Sequence, residues 1–592
     1  MSAVRAGLKI APLFLLLLPA GQLLYAQNPA LKPVSQQSAA TPPVPSLTVR
    51  TYSRMVTLEV VVKDSKGNHV TGLKPEDFEI FEQTPSKSKD KHEQKIAAFR
   101  EVSMADVAVH DAGLAAQIPT GVYTNVVSAL KNPIPPTIVL VDGLNTDVAY
   151  QSRVHAQTLK MLQQLPTDVP VAVFLLGRKL VMLQDFTSDP KLLQVALGKA
   201  ITPTGQSMAQ LGPRDDPNSA YMQLLKTKAP IPFEMLAAAL DEDNRSFTDN
   251  VDTRVRLTED AFIAIARHMS GYPGRKNLLW ISTAFPINVI VPPLDHQLDQ
   301  FKDRDYEAGI QRVTNALSDA RIAVYPMNPA GARPPAFFTA DDLPVNPKRE
   351  FEGQMREVDT MQTMASATGG AVCVGDNDLA DCIHKAVDDS SKFYEIAYYP
   401  DSKDWNGEYR KIILDTKVKG LHLEYRQGYF ANREPSGTSA GDDLQRAACE
   451  GPLDATAIFL AAKTLPPDPK ETMKFYLMIN PAALTFTAAG NGNREVNLHV
   501  GVCTFDETGK PLHYMSDAMD QKLTAKEFQE LTTSGLPHVV AVAGPKPAAV
   551  RLAVMDEASG RVGSVFVKTD GPVIAAAAAS SSAGQNLPLT QK

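Results

Sequence analysis

The stretch that decides the fold runs from Pro136 to Asp147 and reads PTIVLVDGLNTD. Its first half is an unbroken apolar run, which is typical of a strand buried on both faces of a parallel sheet. The run ends at Asp142, and Asn145 and Thr146 follow shortly after it. Ligands of open α/β sheets bind beyond the carboxyl ends of the strands, so these polar side chains mark a candidate site.

Further strand and helix patterns alternate along the next 250 or so residues. The apolar segments VAVFLL (Val171 to Leu176) and KNLLWIS (Lys276 to Ser282) predict buried strands, and DYEAGIQRVTNALSDA followed by RIAVYPM predicts a helix and another strand. Such alternation predicts a doubly wound parallel sheet with helices on both faces. We place this α/β unit at residues 130–391, with an insertion at about 205–250 that is longer than the fold needs.

Segments with β patterning flank the α/β unit on both sides. Residues 47–103 resemble an immunoglobulin-like β-sandwich segment, and residues 392–431 predict a β meander with aromatic and β-branched alternation. The chain ends of an inserted domain usually lie close together, so the two segments either complete one sandwich or form separate β pieces. Beyond a linker at 432–445, residues 446–572 predict a C-terminal β domain, and residues 573–592 form a low-complexity tail.

The N-terminus predicts export. Arg5 and Lys9 precede an apolar run, and Leu24-Tyr25-Ala26 offers a cleavage site, so residues 1–26 resemble a secretory signal peptide. A single N-terminal anchor helix is the alternative, but the run is short for one. Residues 27–46 form a linker rich in proline, glutamine and serine. We expect an exported protein that is periplasmic, secreted or on the cell surface, with no membrane span once the leader is removed.

The four cysteines matter because disulfides persist in oxidising compartments. Cys373 and Cys382 lie close together in the sequence, whereas Cys449 and Cys503 lie in the C-terminal third. We expect two local disulfides, although sequence alone leaves three pairings and free thiols open. No Cys-x-x-Cys pair is present, which gives zinc binding and thioredoxin-type chemistry little support.

Composition and motifs exclude several classes of function. The 592-residue chain has a net charge of -7 and a pI near 5.9, so there is no electrostatic case for binding nucleic acid. The phosphate-binding Gly-x-x-x-x-Gly-Lys-Ser/Thr and His-Glu-x-x-His motifs are absent, and the eleven histidines are scattered. We therefore expect a protein that is not an enzyme and whose partners are proteins, glycans or cations.

The DGLNT loop resembles the first loop of the von Willebrand factor type A domain. That family places Asp-x-Ser-x-Ser there and binds a divalent cation at a metal-ion-dependent adhesion site. In this chain Asp142 remains, Thr146 can replace the last serine, and Leu144 cannot replace the first. The third loop follows Ser282 and lacks the family's Asp-Gly, while Thr202 or Thr204 could supply the second-loop threonine.

The resemblance therefore implies a degenerate Mg²⁺ or Mn²⁺ site, since both ions prefer hard oxygen ligands. Its candidate ligands are Asp142, Asn145, Thr146, Thr204 and Ser282. A vestigial or metal-free loop surface is the alternative, in which Asp142 is a turn residue that accepts backbone hydrogen bonds. The order of segments from Leu47 to Ala431 is similar to a von Willebrand factor A-related family abundant in acidobacteria, which implies fold and location but no activity.

Two hypotheses of function follow. In the first, an exported non-enzymatic adhesion-type protein engages a protein or glycan at the cell surface through the loops around Asp142, Thr204 and Ser282. In the second, the chain is a structural component of a cell-envelope assembly with no metal-dependent ligand binding. Exposure of the loops distinguishes them, because the first hypothesis requires open polar loops and the second expects the insertion to cover them. The sequence does not set the oligomeric state.

Overall fold

The structure is a computed structural model of the chain. It describes residues 55–84, 91–103, 121–125, 136–146, 148–163, 169–199, 208, 216, 218–227, 229–272, 274–283, 288–289, 304–328, 361–374, 379–402, 404–432, 438–451, 453–466, 473–542 and 545–570. The expected signal peptide, the linker at 27–46, the tail at 573–592 and Thr204 lie outside these residues.

The helices of the described residues are α1 Val148–Gln163, α2 Pro190–Lys199, α3 Ala220–Lys226, α4 Phe233–Met269, α5 Glu307–Asp319, α6 Leu379–Ser391, α7 Thr438–Cys449 and α8 Ala525–Ser534. Residues 361–368 are also helical. The strands are β1 Val56–Lys63, β2 Phe78–Gln83, β3 His92–Gln94, β4 Ile96–Ser103, β5 Tyr123–Thr124, β6 Thr137–Asp142, β7 Val171–Leu176, β8 Leu180–Thr187, β9 Lys276–Ile281, β10 Asn288–Val289, β11 Arg304–Asp305, β12 Ile322–Asn328, β13 Cys373–Val374, β14 Lys392–Tyr398, β15 Tyr409–Thr416, β16 His422–Glu424, β17 Gly428–Phe430, β18 Leu460–Leu465, β19 Met473–Ile479, β20 Thr487–Ala488, β21 Arg494–Phe505, β22 Pro511–Leu523, β23 Leu536–Val542, β24 Ala549–Asp556 and β25 Val562–Lys568.

The α/β unit is built on a six-stranded sheet in the order β13-β12-β9-β6-β7-β8. Its strands are parallel except for β8, which pairs antiparallel with β7. Counted along the chain this is the doubly wound order 3-2-1-4-5-6, in which the chain reverses direction beside β6. The DGLNT loop leaves β6 at that switch point, so the sheet places Asp142 where open α/β sheets bind ligands.

Helices cover both faces of this sheet, as a sheet buried on both sides requires. Side chains of α4 and α5 pack against one face, and those of α1, α2 and α6 pack against the other. Every residue of β6, β7 and β9 is buried, which explains why their sequences are mostly apolar, with polar residues only at the ends of β6 and at the start of β9. The alternating pattern in the sequence therefore predicted the class of this unit correctly.

Strands from before and after the α/β unit combine in two four-stranded sheets, β16-β1-β14-β4 and β17-β15-β2-β3. In the first sheet β1 pairs antiparallel with β14, and in the second β2 pairs antiparallel with β15. One apolar cluster contains side chains from both sheets, among them Leu58, Ile80 and Ile396. The chain thus leaves this two-sheet body after β4 and re-enters it directly from α6 at β14.

The C-terminal β domain also contains a strand from far upstream. Its sheets are β23-β19-β18-β5 and a five-stranded sheet of β20, β21, β22, β24 and β25. Strand β5 pairs with β18, and the next residue, Asn125, is buried and donates to the carbonyls of Ala455 and Ile458 at 2.6 and 2.9 Å. A segment that precedes the α/β unit is therefore part of the C-terminal β domain.

Two expected boundaries need correction. Residues 432–445 were expected to be a linker, but α7 begins at Thr438 and packs Leu444, Ala447 and Ala448 against the five-stranded sheet. The polar, glycine-containing start of this helix hides its apolar stripe from a reading of composition alone. The insertion was expected to end near residue 250, but α4 runs without a break for 37 residues through that point.

Helix α4 also joins the α/β unit to the C-terminal domain. At its C-terminal end Arg267 forms an ion pair with Asp443 at 3.0 Å, and a ring nitrogen of His268 lies 2.8 Å from the carbonyl oxygen of Asp454. The Thr456 backbone N–H donates to the Arg267 carbonyl at 3.0 Å. The two disulfides lie elsewhere, one joining Cys373 of β13 to Cys382 of α6 and the other joining Cys449 of α7 to Cys503 of β21.

No helix among the described residues is long and apolar enough to span a membrane. The longest, α4, carries charged residues throughout its length.

Charged side chains are buried where the amino end of the parallel sheet meets the first two-sheet body. Lys63 of β1 forms an ion pair with Asp389 of α6 at 2.6 Å. Lys276, the first residue of β9, is fully buried, and its Nζ donates to the Tyr272 carbonyl at 2.7 Å. Burial lowers the pKa of Lys276 to about 7, nearby Arg321 lowers it further, and Glu59 opposes the shift. The folded protein therefore releases the Lys276 proton near pH 7, whereas an exposed lysine keeps it up to a pH of about 10.5.

We expect Lys276→Met to stabilise the protein by roughly 1–4 kcal/mol near neutral pH, because it removes a buried amine and keeps an apolar chain of similar length. Between pH 7 and 10.5 the unfolded state binds this proton and the folded state does not, so the lysine's contribution to stability rises with pH. Below about pH 7 its penalty is complete and constant. The advantage of the variant should therefore shrink as the pH rises, at most by about 1.4 kcal/mol per pH unit.

Urea unfolding of both proteins at pH 7.5 and 9.5 measures this difference. Lys522→Met is the matched control, because the Lys522 side chain is largely exposed on β22. An advantage of Lys276→Met that is independent of pH would contradict the lowered pKa.

Candidate functional site

The carboxyl edge of the parallel sheet brings Asp142, Asn145, Thr146 and Ser282 together, and all four are buried. Asp142 ends β6, Asn145 and Thr146 follow in the next turn, and Ser282 follows β9, the parallel neighbour of β6. The structure thus places these candidate ligands at one edge of the sheet. Thr204 belongs to a segment outside the described residues.

Internal donors engage both carboxylate oxygens of Asp142. The Asn145 backbone N–H donates to Oδ1 at 2.9 Å, and its side-chain Nδ2 donates to Oδ2 at 2.8 Å. The Trp280 indole Nε1 also donates to Oδ2, at 3.0 Å. Burial raises the pKa of the Asp142 carboxyl, and the hydrogen bonds from Asn145, Trp280 and Ser282 oppose that rise. The carboxyl group is therefore the centre of a hydrogen-bonded node rather than an open ligand.

Helix α4 closes the node from the other side. The Asn145 Nδ2 group donates its second hydrogen to Thr258 Oγ1 at 2.9 Å, and Thr258 donates to the Arg254 carbonyl at 2.9 Å. One turn further along α4, the Phe262 ring meets the Trp280 indole edge to face, with the ring centres 5.1 Å apart. The cover comes from the part of α4 beyond residue 250 and also from Met208 of the expected insertion, whose backbone N–H donates to the Leu144 carbonyl at 2.9 Å.

Leu144 occupies the position of the first serine in the Asp-x-Ser-x-Ser pattern. Its buried surroundings explain why this position is a leucine. The side chain is fully buried in the apolar cluster on the α4 face of the sheet. Its backbone N–H donates to the Leu176 carbonyl and its carbonyl accepts from the Met208 N–H, both at 2.9 Å. The residue therefore contributes to the core at the position where a cation-binding loop presents a hydroxyl.

The described residues of these loops do not fit a divalent cation. Magnesium requires a nearly octahedral set of oxygen ligands at about 2.1 Å, and both Asp142 oxygens already accept N–H groups that a cation would have to displace. Asn145 Oδ1 is buried and has no hydrogen-bond donor among the described residues, so it offers one further oxygen. The described residues contain no group of three or more His, Cys, Asp or Glu side chains that could hold a metal.

Sequence reasoning missed Trp280 and Thr258. Trp280 could have been found, because a buried indole N–H usually has an acceptor and this tryptophan lies two residues before the Ser282 loop. No feature of the sequence indicated that Thr258 would lie at the site. Its position on the helix and its contact with Asn145 depend on how α4 crosses the sheet, which no local pattern encodes.

No protein-family model matches the chain, and no curated protein is significantly similar to it. Among solved structures, a von Willebrand factor type A protein from Catenulispora acidiphila is 9% identical with a TM-score of 0.23, over 60% of this chain and 80% of that one. An aerotolerance-related membrane protein from Bacteroides fragilis is 14% identical with a TM-score of 0.23, over 43% of this chain and 98% of that one.

A third solved structure is the proximal thread matrix protein 1 of the mussel byssus with a zinc-occupied metal-ion-dependent adhesion site. It is 8% identical with a TM-score of 0.21, over 45% of this chain and 49% of that one. Likenesses this low carry no argument about fold or function. The doubly wound assignment therefore rests on the strand order and directions of the six-stranded sheet itself.

Proposed function

We propose that this chain is an exported, non-enzymatic structural component of a cell envelope, in which the α/β unit connects two β bodies and binds no ligand through a cation. The observation that carries the proposal is the closed node at Asp142, whose two oxygens accept hydrogen bonds from Asn145 and Trp280 beneath α4. A metal-dependent adhesion site needs an open coordination position for the carboxylate of its ligand. Here both oxygens of the carboxylate that would hold the cation already accept hydrogen bonds from within the protein.

The connections of the α/β unit support the same role. Its chain continues from α6 directly into β14 of the first two-sheet body, and α4 meets the C-terminal domain through Arg267 and His268. The ion pairs of Lys63 with Asp389 and of Arg267 with Asp443 at these junctions favour one fixed arrangement over a loose string of modules. Interaction with a protein or glycan then takes place on other surfaces of the molecule. The expected leader at residues 1–26 is what supports export.

Calorimetric titration of the chain from Gln27 to Lys592 with Mg²⁺ and Mn²⁺ tests the proposal. We expect no saturable heat at concentrations up to on the order of 10 mM, well above the range of weak extracellular cation sites. In the cation-dependent alternative the wild-type protein would bind, Asp142→Ala would abolish binding, and Leu144→Ser would strengthen it by restoring a hydroxyl ligand. That pattern would refute the proposal.

The Leu144→Ser variant separates the two hypotheses by stability as well. Under the proposed function the leucine is a core residue, so the substitution should destabilise the protein by about 2–5 kcal/mol, and added Mg²⁺ should restore none of it. Urea unfolding with and without Mg²⁺ measures both effects. A concentration on the order of 10 mM exceeds the dissociation constants of weak extracellular cation sites. Recovery of stability in the presence of Mg²⁺ would favour the adhesion-type alternative.

A further inference from the structure

The six-stranded sheet has a free edge at β8 among the residues that the structure describes. Strand β8 pairs with β7 on one side, and no described strand pairs with its other side. Leu180, Val181 and Met182 keep regular register with β7, and the irregular positions come later, near Gln184. An edge of this kind presents N–H and C=O groups to which another strand can pair, and natural edges are usually protected by charge, proline or bulges.

The regular part of this edge carries apolar side chains instead of charged ones. Val181 is 44% exposed and Met182 is 38% exposed. They are consecutive residues of a strand, so they point to opposite faces of the sheet. The bulges that would discourage pairing lie beyond them, so the start of β8 has regular geometry for pairing and, in the part of the chain that the structure describes, no strand on its outer side.

Helix α2 extends the apolar surface on one face. Val181 lies opposite Leu175, whose side chain packs in the same cluster as Leu193 of α2, so Val181 and α2 share that face. On α2 itself, Leu192 and Val195 are 46% and 59% exposed, and residues three apart lie on one side of a helix. Three large apolar side chains, those of Val181, Leu192 and Val195, thus project from one edge strand and the helix that packs beside it, a concentration that marks an interaction surface.

Charges at the two ends of the strand indicate the partner. Arg178 and Lys179 immediately precede the strand's apolar part, while Asp185 and Asp189 follow it, and all four are exposed. A second copy of this strand in antiparallel orientation would bring each cationic end beside the acidic end of the other copy. A surface whose two ends are complementary in this way can pair with itself across a two-fold axis, as most soluble homodimers do.

We propose that the edge formed by β8 and α2 is a homodimer interface, in which two copies of this chain pair antiparallel about a two-fold axis. Val181, Leu192 and Val195 supply its apolar centre, and Lys179 of each copy faces the acidic end of the other strand. Pairing of the strands is confined to the regular part from Leu180 to Met182, so the apolar contacts of α2 carry most of the interface. This inference is independent of the closed node at Asp142.

Sedimentation equilibrium of the chain from Gln27 to Lys592 tests the interface. We expect a dimer, and we expect V181K combined with V195K to raise its dissociation constant at least tenfold. Both positions are largely exposed, so folding should persist, and a thermal melt checks this. The matched control is L225K combined with M235K, which makes the same change at the α3–α4 turn, where Leu225 and Met235 are 48% and 51% exposed. The control should dimerise like the wild type.

Reversing the charges at the two ends of β8 provides a second test of the interface. K179E alone and D185K alone should each weaken the dimer, and the two together should restore it, which loss of folding would not do. A monomer at every concentration up to on the order of 100 μM would overturn the proposal, since a specific dimer should form well below that. A dimer that is unaffected by V181K combined with V195K would also overturn the proposal. So would a dimer that is disrupted only by the control variant, L225K combined with M235K. Any of these results leaves the cation titration unaffected.

Discussion

Replacing Asp142 by alanine should lower the free energy of unfolding by about 3–5 kcal/mol, because the change leaves several buried donors without an acceptor. The Trp280 indole N–H and two N–H groups of Asn145 all point at the missing carboxylate. None of them can turn to water, since Asn145 and Trp280 are fully buried. Urea unfolding of the wild-type and variant proteins in the presence of EDTA measures the loss.

The matched control for that experiment is Asp401→Ala. Asp401 is an exposed aspartate in the turn after β14, and its removal should change stability by no more than about 0.5 kcal/mol. A loss in Asp142→Ala as small as that of the control would mean that the carboxylate is not a structural centre. A loss seen only when Mg²⁺ is present would mean that the residue acts through a cation.

The second large effect is expected for Arg410→Met. Arg410 is buried in the first two-sheet body, where its guanidinium donates to the Ser402 carbonyl at 3.3 Å, to Tyr429 Oη at 3.1 Å, and to the Asp404 carbonyl. Glu82, 4.0 Å away, is also buried. Removal of one partner from a buried charged pair typically costs about 3–5 kcal/mol, because the other charge remains uncompensated.

A double-mutant cycle separates the lost pair from lost packing. Glu82 keeps hydrogen bonds from the hydroxyls of Tyr398 and Tyr429 at 2.7 and 2.8 Å, so Glu82→Gln should be tolerated better than Arg410→Met. With both changes present, the total loss should be smaller than the sum of the two single losses by about 1 kcal/mol or more. Simple additivity would show that Arg410 acts through the 402–404 turn and not through Glu82.

The sequence was sufficient to predict the fold class of the α/β unit, because strands buried on both faces have continuous apolar sequences. Residues 138–141, 171–176 and 278–281 are continuous apolar runs separated by helical patterns, and the structure places their three strands side by side. Pairings between strands far apart in the chain have no comparable pattern in the sequence. The pairing of β5 with β18 joins residues more than 300 positions apart, and a two-residue strand is too short for any periodic pattern.

The sequence predicted where the candidate site lies, but it did not predict whether the Asp142 carboxylate is open to solvent. The position of Asp142 at the end of a buried strand was enough to place it at the switch point of the sheet. Whether its oxygens face solvent depends on Trp280, whose orientation follows from packing against Phe262, and on Thr258 of α4. The bonds from Trp280 to Asp142 and from Asn145 to Thr258 join residues 138 and 113 positions apart, and they decide between an open cation site and a closed hydrogen-bonded node.

The most direct test of the closed node is the NMR signal of the Trp280 indole N–H during titration with Mn²⁺. The chain has two tryptophans, so Trp405, in the first two-sheet body, provides an internal reference. We predict that both indole signals persist unchanged up to about 1 mM Mn²⁺, a concentration that fills most extracellular cation sites. Selective loss of the Trp280 signal would place the paramagnetic ion beside Asp142, whose Oδ2 lies 3.0 Å from that indole nitrogen, and would contradict the account.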